Sequence, residues 1–492
     1  MTDQKKDLNR FFKHSYIYAI GNIINRLGAF LLLPVYTNYL TTGEYGAIEL
    51  FYAVSAVVFG FLSMGIAHAT LRFYFEYDNV ADQHQVVSTN YVSSLIVSII
   101  GVTFVGFWYK DISILVFSSE KYSLGVLLIL ATIVFELSSQ ICLAYVRAVE
   151  KSLLFVYIAV AKLIIQVSIN IYLVIYAEQG VIGVLTGNLM AVFIGWVILS
   201  IFTLKNCGLK VDLKKLIPIL HYSFPFLLGT FTQLISTNID KFGLNYIDSL
   251  SSVGVYMLAI KFSMIIEQLI GEPFSRSYGS FRFSIMKQDN ASEIQSKIVR
   301  YLLYTTLTIA LGISLLIKEI LMILSDESFW VAAKIVPIVI FASILKIMNY
   351  PLQTGILYAK KTKYFFYIGI VTAVVSVGGN LSLIPIFGIF GACYALILTD
   401  LVSLILMHFK SQKYFKVHYN YLKLFLSVGV AVLLFISSLL IPEMSIAYVI
   451  ILKLLIISLF VMILVKSRYF LNHDEEKHIY LFISEKILRR SK

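Results

Sequence analysis

The chain is built from one apolar run after another, and this pattern leaves few folds open to it. About fourteen such runs can be separated along the 492 residues, each close to the roughly 20 residues that an α-helix needs to cross a bilayer. Hydrophobic residues make up 59% of the sequence and charged residues only 14%, an apolar balance that no soluble domain of this length sustains. We therefore predict an all-α polytopic membrane protein with about fourteen transmembrane helices.

The run boundaries give a first map of the membrane spans. The predicted spans are 14–40, 45–70, 87–108, 123–147, 153–176, 181–204, 217–246, 252–275, 299–317, 332–358, 364–384, 389–408, 421–440 and 445–466. The first run has no small-residue cleavage site, so we interpret it as a retained helix and not as a secretory signal.

The distribution of positive charge predicts the orientation of these spans. With loops assigned alternately to the two sides, about 30 of the 40 Lys and Arg residues lie on the side that carries both termini. Because cytoplasmic loops carry the excess of Lys and Arg, both termini are expected in the cytoplasm. The net charge of +12 is then mostly a topology signal, and nucleic acid is not an expected partner.

Two stretches of the chain repeat one another at an offset of about 210 residues. The segment from Glu150, EKSLLFVYIAVAKLIIQVSINIYLVIY, aligns with the segment from Lys360, KKTKYFFYIGIVTAVVSVGGNLSLIPIF. TNYLTTGEYG and LNYIDSLSSVG form a second pair at nearly the same offset. Two six-helix halves follow, and an even number of spans makes them parallel repeats, which commonly hold substrate between them near the midplane. The predicted domains are an N-lobe (1–204), a cytoplasmic linker (205–213), a C-lobe (214–410), and a last segment with helices 13 and 14 and a basic tail (411–492).

Several ionisable residues fall inside the predicted spans, where they are expected to face the bundle interior or a water-filled cavity. The basic ones are Arg26, Lys162, Lys241, Lys261, Lys346 and Lys453; the acidic ones are Glu49, Glu136, Asp240, Glu267, Glu272 and Asp400. Polar neighbours at helical spacing define the candidate central-cavity residues, which are Arg26, Asn25, Lys261, Gln268, Lys346, Asn349 and Gln353. The repeat sets Glu136 at the position equivalent to Lys346, which predicts opposite charges across the cavity. Lys453, by contrast, is expected to snorkel to the membrane surface.

The sequence lacks the signatures of an enzyme. It contains no Walker loop, HExxH motif, nucleophile elbow or paired Cys/His set, so we expect no metal and no cofactor. A polymerase or ligase acting on lipid-linked glycans would need sizeable external loops, whereas the longest predicted here has about 15 residues by the same span limits. We therefore expect a protein that is not an enzyme.

Three motifs carry a resemblance to a known family: YLTTGEYGAIEL, YVRAVEKS and SFPFLLGTFTQLISTNIDKFGLNYIDSLSSVGVYMLAIKFS. The chain resembles the Wzx-type bacterial polysaccharide flippases for O-antigen or capsule repeat units. Their MOP superfamily also holds the lipid II flippases and the MATE exporters. The resemblance implies movement of undecaprenyl-diphosphate-linked oligosaccharide from the cytoplasmic to the external leaflet of the inner membrane by alternating access.

The resemblance also implies roles for individual residues. Cavity cations, here Arg26, Lys261 and Lys346, would bind the diphosphate, and Arg72 and Arg276 would capture it first on the cytoplasmic side. Glu136, Asp240 or Glu267 would bind a coupling ion, H⁺ or Na⁺. Membrane lipids, a polysaccharide polymerase and a chain-length regulator are further expected partners. Two alternatives stay open: a lipid II flippase, and a MATE-like exporter of cationic molecules, whose cavity should be acidic or aromatic.

Overall fold

The computed structural model describes residues 17–466 and 470, except 19, 22, 25–27, 29, 287 and 443, and omits the side chains of 225, 226, 228–233 and 280. Throughout this described part every regular element is helical. The helices are α1 (Leu33–Tyr39), α2 (Thr42–Ser63), α3 (Ile66–Tyr74), α4 (Val80–Gly106), α5 (Tyr109–Phe117), α6 (Ser123–Ala148), α7 (Ser152–Ile171), α8 (Gly180–Cys207), α9 (Leu213–Ile247), α10 (Leu250–Ile266), α11 (Glu272–Ile285), α12 (Ala291–Leu324), α13 (Ala332–Leu352), α14 (Thr354–Tyr358), α15 (Lys363–Phe387), α16 (Ile389–Tyr414), α17 (Tyr421–Ser438) and α18 (Ile446–Lys466).

The helices confirm a polytopic membrane protein. Among the residues that the structure describes, twelve helical segments are long and apolar enough to cross a membrane. Two predicted spans are not among the twelve. The first, 14–40, lies partly outside the described residues, and the seventh lies in α9, a 35-residue helix that also contains undescribed side chains.

The chain folds into two compact units. Unit 1 comprises Met1–Val255 with Leu324–Ser328, and unit 2 comprises Tyr256–Ile323 with Phe329–Lys492. Within unit 1, α8 packs against both α6 and α7; within unit 2, α16 packs against both α13 and α15. These helices are equivalent in the predicted repeat, so both units use the same packing. The lobe boundaries drawn from the repeat remain a prediction.

The repeat is visible in backbone conformation. Glu150 and Lys360, which are 210 residues apart, both adopt positive φ values, 55° and 54°. Each is followed by a residue whose N–H donates to a carbonyl five residues back: Lys151 to Val146 and Lys361 to Ile356, both at 3.0 Å. This is the hydrogen bond of a helix that ends through a left-handed residue. The equivalent helices of the two repeats therefore end in the same type of turn.

The side chains matched by the repeat also pack alike. A Cβ on Gly183 would lie 3.1 Å from the Cβ of Leu173, and a Cβ on Gly391 would lie 2.2 Å from the carbonyl oxygen of Leu383. Leu173 and Leu383 are again 210 residues apart. In both copies, then, a helix begins by packing its glycine against the end of the preceding helix, where a side chain would not fit.

The two segments of the second repeat pair, TNYLTTGEYG and LNYIDSLSSVG, contact each other at their equivalent glycines, Gly46 and Gly254. A Cβ on Gly46 would lie 1.9 Å from the carbonyl oxygen of Leu250, and one on Gly254 would lie 2.1 Å from that of Thr42. The hydroxyl of Thr42 also donates to the Ser251 hydroxyl at 3.1 Å. Helix α2 and the start of α10, both in unit 1, thus cross backbone against backbone, which only glycine permits.

The second and tenth predicted spans are interrupted by short turns. The second breaks at Met64 and Gly65, which both have positive φ. The tenth stops at Gln353, just after Pro351. There the Gly355 N–H, which would continue the helix by bonding to the Pro351 carbonyl, donates to the Ser411 hydroxyl at 2.8 Å.

The carbonyl freed by this break is satisfied within unit 2. The Pro351 carbonyl accepts from the Gln295 amide at 2.8 Å and from the Thr354 hydroxyl at 2.7 Å. A kink at a proline frees backbone groups that other side chains must satisfy in a membrane helix. The break therefore leaves the Pro351 carbonyl fully hydrogen-bonded by side chains of unit 2.

The expectation that Lys453 snorkels to the surface is wrong. Its ammonium donates to both carboxylate oxygens of Glu319 on α12, at 2.7 and 2.8 Å. The two side chains are only 10% and 7% exposed. Because α18 has a carboxylate partner inside unit 2, its lysine does not need to reach the membrane surface.

Candidate functional site

A π-helical turn, Glu267–Gly271, joins α10 to α11 in the middle of the eighth predicted span. Pro273 follows in the first turn of α11, and it has no N–H to continue the preceding hydrogen-bond ladder. Single π-helical turns inside membrane-length helices frequently coincide with functional sites. Here the turn carries Glu267, one of the predicted coupling residues.

The Glu267 carboxylate contacts two side chains of α13. Its Oε1 accepts a hydrogen bond of 2.5 Å from the Tyr350 hydroxyl. Its Oε2 lies 3.9 Å from the Lys346 ammonium, an ion pair without a hydrogen bond. Lys346 and Tyr350 are four residues apart, so they lie on one face of α13.

Gly271 provides the space that this carboxylate occupies. A Cβ at Gly271 would lie 3.1 Å from the Glu267 Cδ and Oε1, and 3.1 Å from Cγ1 of Ile347. The Glu267 carboxylate thus lies between the backbone of the π-helical turn at Gly271 and the side chain of Ile347 on α13. A larger residue at 271 would have to displace Glu267 or α13.

Asp400 on α16 completes a cluster of three charges. It interacts electrostatically with both Lys346 and Glu267, attracted by the first and repelled by the second. The Asp400 side chain is partly buried, and α16 packs directly against α13. We call Glu267, Lys346 and Asp400 the unit 2 cluster.

The unit 2 cluster has more acceptors than donors. With all three groups ionised, two carboxylates and one ammonium leave a net charge of −1. Oε2 of Glu267 and Oδ1 of the neighbouring Asn349 are buried, and neither has a hydrogen-bond donor among the described residues. Buried acceptors are normally satisfied, so an added proton or small cation is the kind of ligand that the cluster would take.

A second charged site lies in unit 1. Glu136 on α6 and Lys162 on α7 line a cavity of about 50 Å³ with Ser139, Gln140 and Trp196. The two charges attract each other. Trp196 Nε1 is buried beside this cavity. The cavity is large enough for a water molecule.

These neighbours modify the predicted pairing of Glu136 with Lys346. Each residue has an opposite charge within its own unit: Lys162 for Glu136, and Glu267 with Asp400 for Lys346. The equivalence of the two positions in the repeat, and their pairing, stay a prediction. The repeat did not reveal that each unit also supplies a counter-charge from a neighbouring helix.

The other predicted site residues, for the cavity and for coupling, are distributed between the units. Arg26 and Asn25 lie outside the described residues. Lys261, Gln268 and Gln353 are partly buried in unit 2. In unit 1, Asp240 is buried, and its carboxylate accepts from the Lys241 N–H at 2.8 Å. A central cavity that combines these residues stays a prediction.

The two predicted capture residues are both exposed at helix ends and both already have a partner. The Arg72 guanidinium lies 4.3 Å from the centre of the Tyr222 ring, and a hydrogen bond to Tyr222 raises the pKa of Arg72. Arg276 lies 3.4 Å from the Glu272 carboxylate one turn earlier. Exposed contacts of this kind contribute little stability.

Sequence reasoning missed three members of these sites. From the sequence, Asp400 is an intramembrane acid without an assigned role, and Tyr350 is not among the candidate residues. Lys162 is one of the intramembrane basic residues, also without an assigned role. A single acid in the middle of an apolar span, such as Asp400, was the available signal.

The sequence and the fold are both similar to those of known proteins. The family described as polysaccharide biosynthesis protein matches residues 11–278, just over half of the chain. The chain belongs to this family. This member is also 19% identical, over 285 residues, to protein 1 of the Lsg locus of Haemophilus influenzae, covering 57% of this chain and 67% of that protein.

Solved structures share the fold of this polysaccharide biosynthesis family member. The lipid II flippase MurJ, in an inward closed conformation, superposes with a TM-score of 0.73 at 15% identity, covering 92% of this chain and 99% of that one. An inward-facing multidrug resistance MATE family transporter of the MOP superfamily gives a TM-score of 0.62 at 14% identity, covering 80% and 94%. The resemblance predicted from the sequence is therefore confirmed for family and fold.

Proposed function

We propose that this protein moves undecaprenyl-diphosphate-linked oligosaccharide repeat units from the cytoplasmic to the external leaflet of the bacterial inner membrane. The movement would proceed by alternating access and would be coupled to H⁺ or Na⁺. Both termini would lie in the cytoplasm, as the charge distribution predicts. The single observation that carries the proposal is the unit 2 cluster, set in a polysaccharide biosynthesis protein with a flippase fold.

The cluster suggests how a cation could control binding of the cargo. While Glu267 and Asp400 are ionised, their negative charges compensate the positive charge of the Lys346 ammonium. A proton or Na⁺ on the carboxylates would release that charge, and lysine binds phosphate well. The Lys346 side chain is 59% exposed and Glu267 only 14%, so the lysine is the member that can reach a ligand.

Deletion of the gene followed by complementation tests the proposal. We expect the deletion strain to lose a surface polysaccharide and to accumulate a lipid-linked glycan on the cytoplasmic face. The unaltered gene should reverse both effects, whereas Lys346→Ala should not, although the protein reaches the membrane at normal level. Lys361→Ala, an exposed lysine outside the cluster, is the matched control and should complement fully.

The accumulated molecule decides between this proposal and its alternatives. A diphosphate-linked oligosaccharide repeat unit supports the proposal. Accumulation of lipid II would instead make the protein a lipid II flippase, which the shared MurJ fold keeps as the second candidate. Increased sensitivity to cationic drugs with normal polysaccharide would indicate a MATE-like exporter and overturn the proposal.

A further inference from the structure

Unit 2 contains a large cavity that is separate from the charged cluster. It has a volume of about 650 Å³ and is lined by α12, α13, α17 and α18. The lining residues come from the last turns of α12 and α17 and from the first turns of α13 and α18, so the cavity lies at one end of these four helices. By the predicted topology this end faces outside the cell.

The cavity combines an apolar wall with positive charge. Among its lining residues the apolar ones include Leu315, Pro337, Phe435, Leu439 and Ile446. Its ionisable lining residues are Lys318, Lys334, Lys453 and Glu319. Three ammonium groups and one carboxylate give the lining a net charge of +2. A ligand that complements this lining is apolar at one end and anionic at the other.

The charges have different surroundings. Lys453 and Glu319 are buried and bonded to each other, whereas Lys318 and Lys334 are exposed. An ammonium has three N–H donors, and the two bonds to Glu319 use two of those on Lys453. The third can serve a ligand oxygen, so anionic contacts are available both at the mouth of the cavity and deeper inside it.

The rim of the cavity also carries exposed apolar side chains. Leu439 and Ile446, on either side of the connection between α17 and α18, are 68% and 51% exposed. In a membrane protein such apolar side chains face lipid. The volume lies within the range of about 300–1,000 Å³ that is typical of ligand pockets, enough for a headgroup and the upper parts of acyl chains whose ends stay in the bilayer.

We propose that this cavity binds an anionic glycerophospholipid. Lys318 and Lys334 would contact its phosphate, because lysine binds phosphate as a point charge. The apolar wall would contact the glycerol and upper acyl chains. The lipid would fix α17 and α18 against α12 and α13, and as a ligand of the folded state it would stabilise that state.

Lipid binding to the purified full-length protein tests the assignment. Native mass spectrometry in detergent would compare phosphatidylglycerol with zwitterionic phosphatidylcholine of the same acyl chains. We expect the unaltered protein to bind phosphatidylglycerol preferentially. The Lys318→Gln/Lys334→Gln variant should bind it about thirtyfold more weakly, as expected for losing two lysines near an anionic headgroup. Ala333→Phe, which adds volume to the lining while keeping both lysines, should also weaken binding.

Matched controls separate this site from surface charge and from transport. Lys110→Gln/Lys121→Gln removes two exposed lysines from unit 1 and should leave lipid binding unchanged. Glu267→Gln, which alters the unit 2 cluster, should also leave it unchanged, so failure of the transport proposal would not affect this one. Equal binding of the two phospholipids, or unchanged binding by the double lysine variant, would overturn the assignment. Displacement of phosphatidylglycerol by undecaprenyl diphosphate at lower concentration would assign the cavity to the cargo and overturn it as well.

Discussion

Lys346 lies in the middle of an apolar helix, and the structure explains how such a charge is tolerated. On translocon scales a central lysine costs about 2.5–3.5 kcal/mol. Glu267 reaches it from a π-helical turn, and Asp400 interacts with it from α16. The Tyr350 hydroxyl holds the Glu267 carboxylate by its other oxygen. The charge is therefore placed by the π-helical turn and α16 together with α13.

Gly271→Ala should disturb this arrangement without removing any ionisable group. The added methyl would lie 3.1 Å from Glu267 and from Ile347, so one of the two must shift by a few tenths of an ångström, and we expect the carboxylate to move and its hydrogen bond to Tyr350 to weaken. Misplacement of a functional group by about 1 Å can cost up to about a hundredfold in rate. We expect loss of surface polysaccharide comparable to that in Glu267→Gln, measured at equal protein level in the membrane.

A second glycine substitution controls for the change of residue type. Gly378 on α15 has no heavy atom within 4 Å of where its Cβ would be, so Gly378→Ala should leave polysaccharide at the normal level. If Gly271→Ala behaves like Gly378→Ala, the position of Glu267 is not critical for transport.

At the level of single residues, the sequence indicated the unusual charges but not their neighbours. Lys346 and Glu267 could be singled out because each interrupts an apolar run. Their contact could not be predicted, since it depends on the rotation of α13 about its axis and on a π-helical turn that the sequence pattern does not mark. Asp400 lies 54 residues beyond Lys346 in sequence and joins it only through helix packing.

The crossing of α2 and α10 depends on two glycines, and substitution there should be costly. Gly46→Val would bring side-chain atoms into the backbone of Leu250, where even a Cβ would lie only 1.9 Å from the carbonyl oxygen. Overpacking of this kind costs about 1–3 kcal/mol or more. We expect a lower Tm in thermal unfolding of the purified protein. Gly429→Val, at an open position on α17, should leave Tm nearly unchanged; equal losses in the two variants would contradict the role of the crossing.

The buried pair between α12 and α18 predicts a difference between single and double substitutions. Lys453→Met leaves the Glu319 carboxylate buried and unpaired, which typically costs about 3–5 kcal/mol. Replacing both residues by methionine removes the uncompensated charge, and such replacements are often neutral or stabilising. We expect Tm to fall in Lys453→Met and to recover in Glu319→Met/Lys453→Met. An equally low Tm in both would argue that the pair is not what holds α18.

Among whole elements, the repeat was the most informative sequence signal. It predicted that equivalent helices recur, and the matching turns at Glu150 and Lys360 bear this out. The position of the break in the tenth span could not be predicted, because Pro351 only weakens the helix. The break falls at Gln353 because the Gly355 N–H donates instead to the hydroxyl of Ser411, which lies 56 residues after Gly355.

For the molecule as a whole, the unit 2 cluster makes a prediction about energy coupling. In proteoliposomes loaded with lipid-linked glycan, we expect transport by the unaltered protein to respond to an imposed H⁺ or Na⁺ gradient. The double variant Glu267→Gln/Asp400→Asn should lose this response, because its cluster no longer has carboxylates to bind the cation. Lys361→Ala should keep it. A gradient response that survives in the double variant would place coupling elsewhere, for which Glu136 is the next candidate.

The pair between Glu319 and Lys453 also has a consequence for biogenesis. The two residues are separated by 134 positions in the chain, and Glu319 emerges from the ribosome first. While α13 to α17 are being synthesised, the carboxylate on α12 has no ammonium from α18 to pair with, so the insertion machinery must shelter it or let it remain near water. In a chain that stops before α18, the Glu319 carboxylate remains without its ammonium partner. Quality-control proteases could recognise such a chain by this unpaired charge.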